Sequence, residues 1–319
     1  MPTVVPESLW LHRLAWMTAL VALLPISIGA VVTTVDAGMA FADWPTSDGH
    51  GMLAYPWLKS TGDKFLEHGH RLAGMLIGLM TLGLAAAAFV WECRPAVRTL
   101  VGIILAGVIL QGLLGGSRVI QNERVLALMH GQFAAWLFSL MGLLVAMTST
   151  AWQSVPSIAD AGRSWTVFFA GIALVVVLLA QYLLGGLLRH LGNATAWLVH
   201  PWFAVAVVIV AAAFCAFAQR TGSPQIVHAG RWVVGFVVAQ ALLGIATWAV
   251  KYGYPQWDIV AVQNSSLQVA IRSFHKVLGL MTLMTAVVAL VRCYRALPVS
   301  LTMNVPTSMS HTAFAGSAS

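Results

Sequence analysis

The sequence predicts an all-α integral membrane protein with eight transmembrane helices arranged as two pseudo-symmetric four-helix bundles. Three observations carry that prediction. Hydrophobic residues fill 59% of the 319 positions and charged ones only 8%, too few to cover a water-soluble globule of this length. Eight apolar runs each approach the roughly 20 residues that cross a hydrocarbon core. A phrase also recurs: Gln111-Gly-Leu-Leu-Gly-Gly116 precedes His130-Gly-Gln-Phe-Ala134, and Gln181-Tyr-Leu-Leu-Gly-Gly186 precedes His200-Pro-Trp-Phe-Ala204, with the same 19-residue offset from Gln to His.

The apolar runs fall at 14–34, 69–91, 99–117, 127–148, 164–187, 195–218, 231–250 and 272–292. The first follows a polar lead, Met1 to Arg13, and is longer than a signal-peptide core, so an uncleaved anchor is expected. The second is entered through Glu67-His68-Gly69-His70-Arg71, and the eighth through Arg272 and His275-Lys276. The expected bundles are residues 1–150 and 163–292, and the Ser-, Thr- and Pro-rich stretch 297–319 reads as a disordered cytoplasmic tail. Two outer loops are long, 35–66 and 251–268. The first holds Asp36, Asp43, Trp44, Pro45, Asp48 and His50, and the second Tyr252, Tyr254, Trp257 and Asp258, a composition that favours function over mere connection.

A net charge of +7 raises the question of nucleic acid, but Lys and Arg are spread singly over loop after loop. No phosphate-tracking patch exists, and helix-end anchoring in membrane lipid is the better account. The basic residues divide eight against nine between the two sides. Setting aside Arg71, Arg272 and Lys276, which lie against histidines, leaves both termini cytoplasmic and the histidines toward the outer face of the cell inner membrane. Cys93 and Cys293 stand at cytoplasmic helix ends and Cys215 inside a span, so no outer-loop disulfide is expected, and no Cys/His cluster suggests zinc.

Four histidines, His70, His130, His200 and His275, enter every second helix near its start. His70-Arg-Leu-Ala-Gly74 resembles His275-Lys-Val-Leu-Gly279, and His130-x-x-Phe133-Ala134 resembles His200-x-x-Phe203-Ala204, so each half owns one histidine of each kind. Two imidazoles at one depth on different helices of a bundle can take both axial positions of an iron porphyrin between them. The expected pairs are His70 with His130 and His200 with His275. Arg71, Arg272 and Lys276 are placed to meet propionates that must not be left unpaired in hydrocarbon. A lone histidine of this kind more often bonds a carbonyl at the interface, but four in a repeated context argue for ligation.

The halves differ at one position. Three residues before His70 stands Glu67, whereas three before His275 stands Arg272. A carboxylate would repel propionates but can stabilise developing positive charge or move protons, which places chemistry in the amino-terminal half and a resident electron-transfer haem in the other. A structural role for Glu67, pairing with Arg71 or capping the second helix, is the competing reading. His68 points about 100° away around the helix and is expected at the interface, not on a metal.

These residues resemble those of haem A synthase, the membrane enzyme family that oxidises haem O to haem A for terminal oxidases. The resemblance spans about 14–292 and rests on Glu67-x-x-His70-Arg71, the Gly29…Asp43-Trp44-Pro45 stretch, the Gln-x-Leu-Leu-Gly phrases and the four histidines. It implies two hydroxylations of the porphyrin C8 methyl, with loss of water to leave a formyl group. It also implies substrate haem O on His70 and His130, haem b iron on His200 and His275, and Glu67 as the catalytic residue. Dioxygen or water, an electron donor outside the chain, and contact with haem O synthase or oxidase subunits follow from the same resemblance. Some bacterial members carry a cysteine pair in the first outer loop. None is present here, so Trp44 and the aspartates are expected to structure that loop. A diheme membrane cytochrome b and a haem transporter or chaperone are the rival readings of the same ligands.

Overall fold

In the computed structural model, residues 9–153, 158 and 160–298 are described; most of the expected lead and of the 297–319 tail lie outside them. Eight long helices are apolar enough to cross a membrane. They are α1 (Leu9–Thr34), α2 (Gly62–Trp91), α3 (Pro95–Gln121), α4 (Arg124–Met147), α5 (Ala161–Leu191), α6 (Ala194–Arg220), α7 (Pro224–Tyr252) and α8 (Ser266–Arg295). A one-turn helix, Thr150–Gln153, follows α4, and 3₁₀ turns at Trp57–Lys59 and Pro255–Trp257 lie in the two long loops. No β-strand occurs among the described residues. The protein is therefore an all-α, multi-pass membrane protein.

Nearly every helix outruns its apolar stretch. A hydropathy window stops at charged residues, but Asp63, Lys64 and Glu67 are good helix formers or N-terminal residues, so α2 begins a turn or more before its hydrophobic segment. The long loops shrink accordingly to 35–61 and 253–265. At the same end of the molecule, two-residue turns close α3 onto α4 and α5 onto α6. Asn122 and Gly192 take the left-handed conformation that ends each helix (φ +50° and +60°), and Asn193 then caps α6 by accepting from Ala196 N at 2.8 Å.

Helices α1 to α4 pack in a ring, each touching the next and α1 touching α4; α5 to α8 form a second ring in the same way. The rings meet where α1 and α4 pack on α8, and α4 on α5. With hydrocarbon outside, close packing replaces the hydrophobic effect as the force between helices, and glycines permit it. Gly107 lies against Leu137 and Phe133, Gly171 against Leu290 and Phe214, and Gly142 against Met284 across the two rings. Leu113, Ile209, Trp232 and Leu242 are more than half exposed and face lipid.

The joint between the rings is polar at the end where the long loops lie. Arg189 of α5 donates to Ala30 O (2.7 Å) and Thr34 Oγ1 (2.6 Å) of α1, and Thr34 meets Ser273 of α8 at 3.2 Å. Tyr182 OH donates to Gly131 O at 3.3 Å.

Gly230 of α7 tests the packing. A Cβ there would stand 3.0 Å from Ala218 Cβ and 3.3 Å from Cys215 Cα, neither of which can rotate away. Gly230→Val should cost about 1–3 kcal/mol. Its thermal unfolding midpoint in detergent is expected to fall below that of the parent protein.

Candidate functional site

Each ring of helices holds one histidine pair. His70 and His130, on α2 and α4, have ring centroids 6.4 Å apart and ring planes at 77°. His200 and His275, on α6 and α8, have centroids 6.5 Å apart and planes at 86°. Each ring lies against a glycine of the preceding helix. A Cβ at Gly29, Gly115, Gly185 or Gly244 would stand 2.8, 3.2, 3.1 or 3.3 Å from Cε1 of His70, His130, His200 or His275. The even helices carry the imidazoles, and the odd helices carry the flat surfaces that let them in. Nδ1 of all four rings is buried without a hydrogen-bond partner.

That geometry fits an iron porphyrin. A ligating imidazole nitrogen sits about 2 Å from a metal, and its ring centroid about 1 Å further, so two axial imidazoles on one metal have centroids about 6 Å apart. Both pairs have that spacing. Among the described residues no group of three or more His, Cys, Asp or Glu gathers as a metal site, and an axial haem pair needs only two.

Around the outer turns of these helices lies a group of cations. Arg118, Lys276 and Arg71 are within electrostatic reach of His70, and Arg189 is within reach of His275 and Arg272. Lys276 follows a histidine of the carboxy-terminal ring, yet its Nζ points across the joint. A Cβ on Gly131, beside His130, would meet it at 3.7 Å and His190 Nε2 at 3.5 Å. Lys276 and Arg272 make no hydrogen bond or ion pair to a described residue, and buried Arg189 Nε is unpartnered. Unmatched cations near hydrocarbon call for anions.

Glu67 and Arg71 face each other in a buried ion pair at 2.8 Å, their side chains only 3% and 7% exposed. The second carboxylate oxygen accepts from Ala40 N (2.6 Å) and Phe41 N (3.4 Å), so both oxygens are engaged. Arg71 also donates to Asp43 O (2.9 Å) and Thr46 O (2.6 Å), and its guanidinium lies over the Phe41 ring. These contacts are the structural role weighed for Glu67 from sequence. They also turn Arg71 toward the loop, while Arg272, Lys276 and the Nε of Arg189 are left open for anions. His68 needs correcting: it is fully buried, not interfacial, because loop 35–61 folds back over α2. Its Nδ1 bonds Ser47 Oγ at 3.0 Å, and Tyr55 packs on its ring at 4.6 Å.

Loop 35–61 is ordered without a disulfide. Asp43 accepts from Asp48 N and Gly49 N at 3.0 and 2.9 Å, and Trp44 lies flat over Gly116. Arg118 of α3 donates to Gly38 O. Sequence reading missed Arg118 and Arg189, because isolated cations at helix ends look like anchors, and His190, which stands outside the repeated phrase. It also missed Gln240 and Gly244, although Gln240-Ala-Leu-Leu-Gly244 is a third copy of the phrase seen at 111 and 181. In that copy the Gln-to-His offset is 35 residues instead of 19, since loop 253–265 intervenes.

The Asp43 turn titrates. The Thr46 side chain, then the backbone N–H groups of Gly49 and Asp48, hold its carboxyl down to about 2. Its contribution to loop order is complete above the ordinary value near 4 and is lost as the pH falls through 4 toward 2. The protection factors of the Asp48 and Gly49 amides, measured against their intrinsic exchange rates, should fall over that window, and Asp43→Ala should show the lost protection already at neutral pH.

Comparison with curated proteins gives no match. The COX15-CtaA family, described as cytochrome oxidase assembly protein, matches residues 12–198, more than half of the chain. The match takes in α1 to α5, and with them Glu67, His70 and His130, and stops two residues before His200. With this span covered and the histidine pair in place, the chain belongs to that family of cytochrome oxidase assembly proteins, the haem A synthases.

Proposed function

We propose that this chain is a haem A synthase, oxidising the C8 methyl of haem O to a formyl group by successive hydroxylation. The observation that carries the reading is the doubled histidine pair, two sites with axial spacing inside a chain of this family. With dioxygen as oxidant, each hydroxylation puts one oxygen atom into a C–H bond of the methyl group while the other leaves as water, using two electrons from a donor outside the chain and two protons; the resulting geminal diol sheds water to leave the aldehyde. Haem O is the substrate of His70 and His130. Haem b, held by His200 and His275, supplies one-electron transfer when bound, since two strong axial imidazoles leave no open position.

The chain's own residues then divide the work. Arg118 and Lys276 meet carboxylates of the substrate porphyrin, and Arg189 and Arg272 those of haem b, which places every propionate beside a cation. Arg71 is the weaker propionate candidate because its donors already reach Glu67 and the loop. Glu67 joins loop 35–61 to the turn that carries His70, so water is kept from the pocket by the same carboxylate that can stabilise positive charge at the methyl carbon. The histidine end faces the outer side of the cell inner membrane, both termini are cytoplasmic, and haem O synthase and oxidase subunits are the expected neighbours.

Pigment extraction tests the reading. Expressed with a source of haem O, the protein should yield formyl-bearing haem; two unmodified haems would indicate a cytochrome b, and a reversibly loaded single site a chaperone. Glu67→Gln should retain haem b and form no haem A, and normal product from that variant would refute the role of Glu67. His275→Ala should remove the low-spin haem b spectrum, and its persistence would overturn that ligand pair.

A further inference from the structure

Three of the four histidines are held from behind by the same device. Gln111 Nε2 donates to His130 O at 3.1 Å, Gln181 Nε2 to His200 O at 3.0 Å, and Gln240 Nε2 to His275 O at 3.0 Å. In each case the glutamine stands four residues before the glycine that receives the imidazole, so one turn of an odd helix supplies both the flat surface and the clamp. Each glutamine Oε1 is buried without a partner, so the bond to the histidine carbonyl is the amide's main contribution. Gln111 Nε2 also stands 3.2 Å from His130 Nε2, and its second hydrogen keeps the carbonyl when that nitrogen turns to a metal.

His70 has no such clamp. Four residues before its glycine, Gly29, stands Pro25, which has neither a backbone N–H nor a side-chain donor. The turn that carries His70 is held instead from the loop side, by Glu67 accepting from Ala40 and Phe41 and by Arg71 donating to Asp43 and Thr46. Three ligands are thus fixed to a neighbouring membrane helix, and the fourth to loop 35–61.

We infer that His70 is the exchangeable axial ligand of the amino-terminal haem, and that Gln111, Gln181 and Gln240 are positioning residues that keep the other three ligands on their metals. This rests on the reading that both pairs bind haem. A carbonyl held by an added hydrogen bond resists the shift that ligand release requires, and a turn tied to a loop yields more easily than one tied to a packed helix. The consequence is an asymmetry useful to a synthase: one site can open a coordination position and release product, while the other stays closed.

Carbon monoxide binding to the reduced holoprotein, followed by absorption, tests it. One haem of two should bind the gas. Pro25→Gln, which restores the missing clamp, should weaken that binding about fivefold, whereas Pro25→Ala, which removes the ring without adding a donor, should leave it at the parent value. His70→Gly should keep its haem in a high-spin form that added imidazole converts to low-spin, and His130→Gly should lose it. Equal binding in Pro25→Gln and Pro25→Ala, or haem kept by His130→Gly and lost by His70→Gly, would overturn the inference, while formyl-bearing haem from the parent protein would leave the synthase reading standing. A protein free of any haem would overturn the underlying reading.

Discussion

An imidazole buried in a membrane span has no water to bond, and the packing of this protein turns on where four of them are put. Each is pressed against a glycine of the helix before it in sequence, and each leaves Nδ1 without a partner. A polar atom left bare in hydrocarbon costs free energy on the order of a lost hydrogen bond or more. Four such atoms in matching positions are therefore not accidents of packing. On the proposed reading a haem would lie at each pair, and the glycine faces fix where the four rings stand to receive it.

The cations make the same argument through charge. Arg118, Arg189, Arg272 and Lys276 collect near the outer turns, where the described residues offer Glu67 as the acid within reach of Arg118. Isolated charge is expensive there, and the carboxylate-bearing porphyrins proposed for the histidine pairs would offset it. Because Lys276 reaches across the joint to the neighbourhood of His130, the rings share this electrostatic seam and neither site is closed by its own half alone. The polar contacts of Arg189, Thr34 and Ser273 hold the seam in register.

Pseudo-symmetry explains the resemblance of the halves, and its failures explain their difference. Glu67 opposite Arg272 gives one half a carboxylate tied to an ordered loop, and Pro25 opposite three glutamines removes one clamp. Both departures fall on the His70 side of the same pocket. The loop they tie down is organised by Asp43, Trp44 and Arg71 through hydrogen bonding and packing.

The sequence by itself determined the helices, the four repeated histidines and their division between two halves. Composition, run length and a repeated phrase are properties of residues near one another along the chain, and a bilayer forces apolar runs into helices whatever their neighbours. It misjudged helix ends, because polar lead residues such as Asp63 and Lys64 are helical here, and it placed His68 at the interface because only the returning loop buries it. Tertiary structure alone decided that Arg71 serves the loop, that Lys276 serves the opposite ring, and that Gln240 repeats Gln111 and Gln181. Those facts depend on contacts between helices distant in sequence. A lone arginine or lysine has several reachable neighbours at a helix end, and only the packing selects among them.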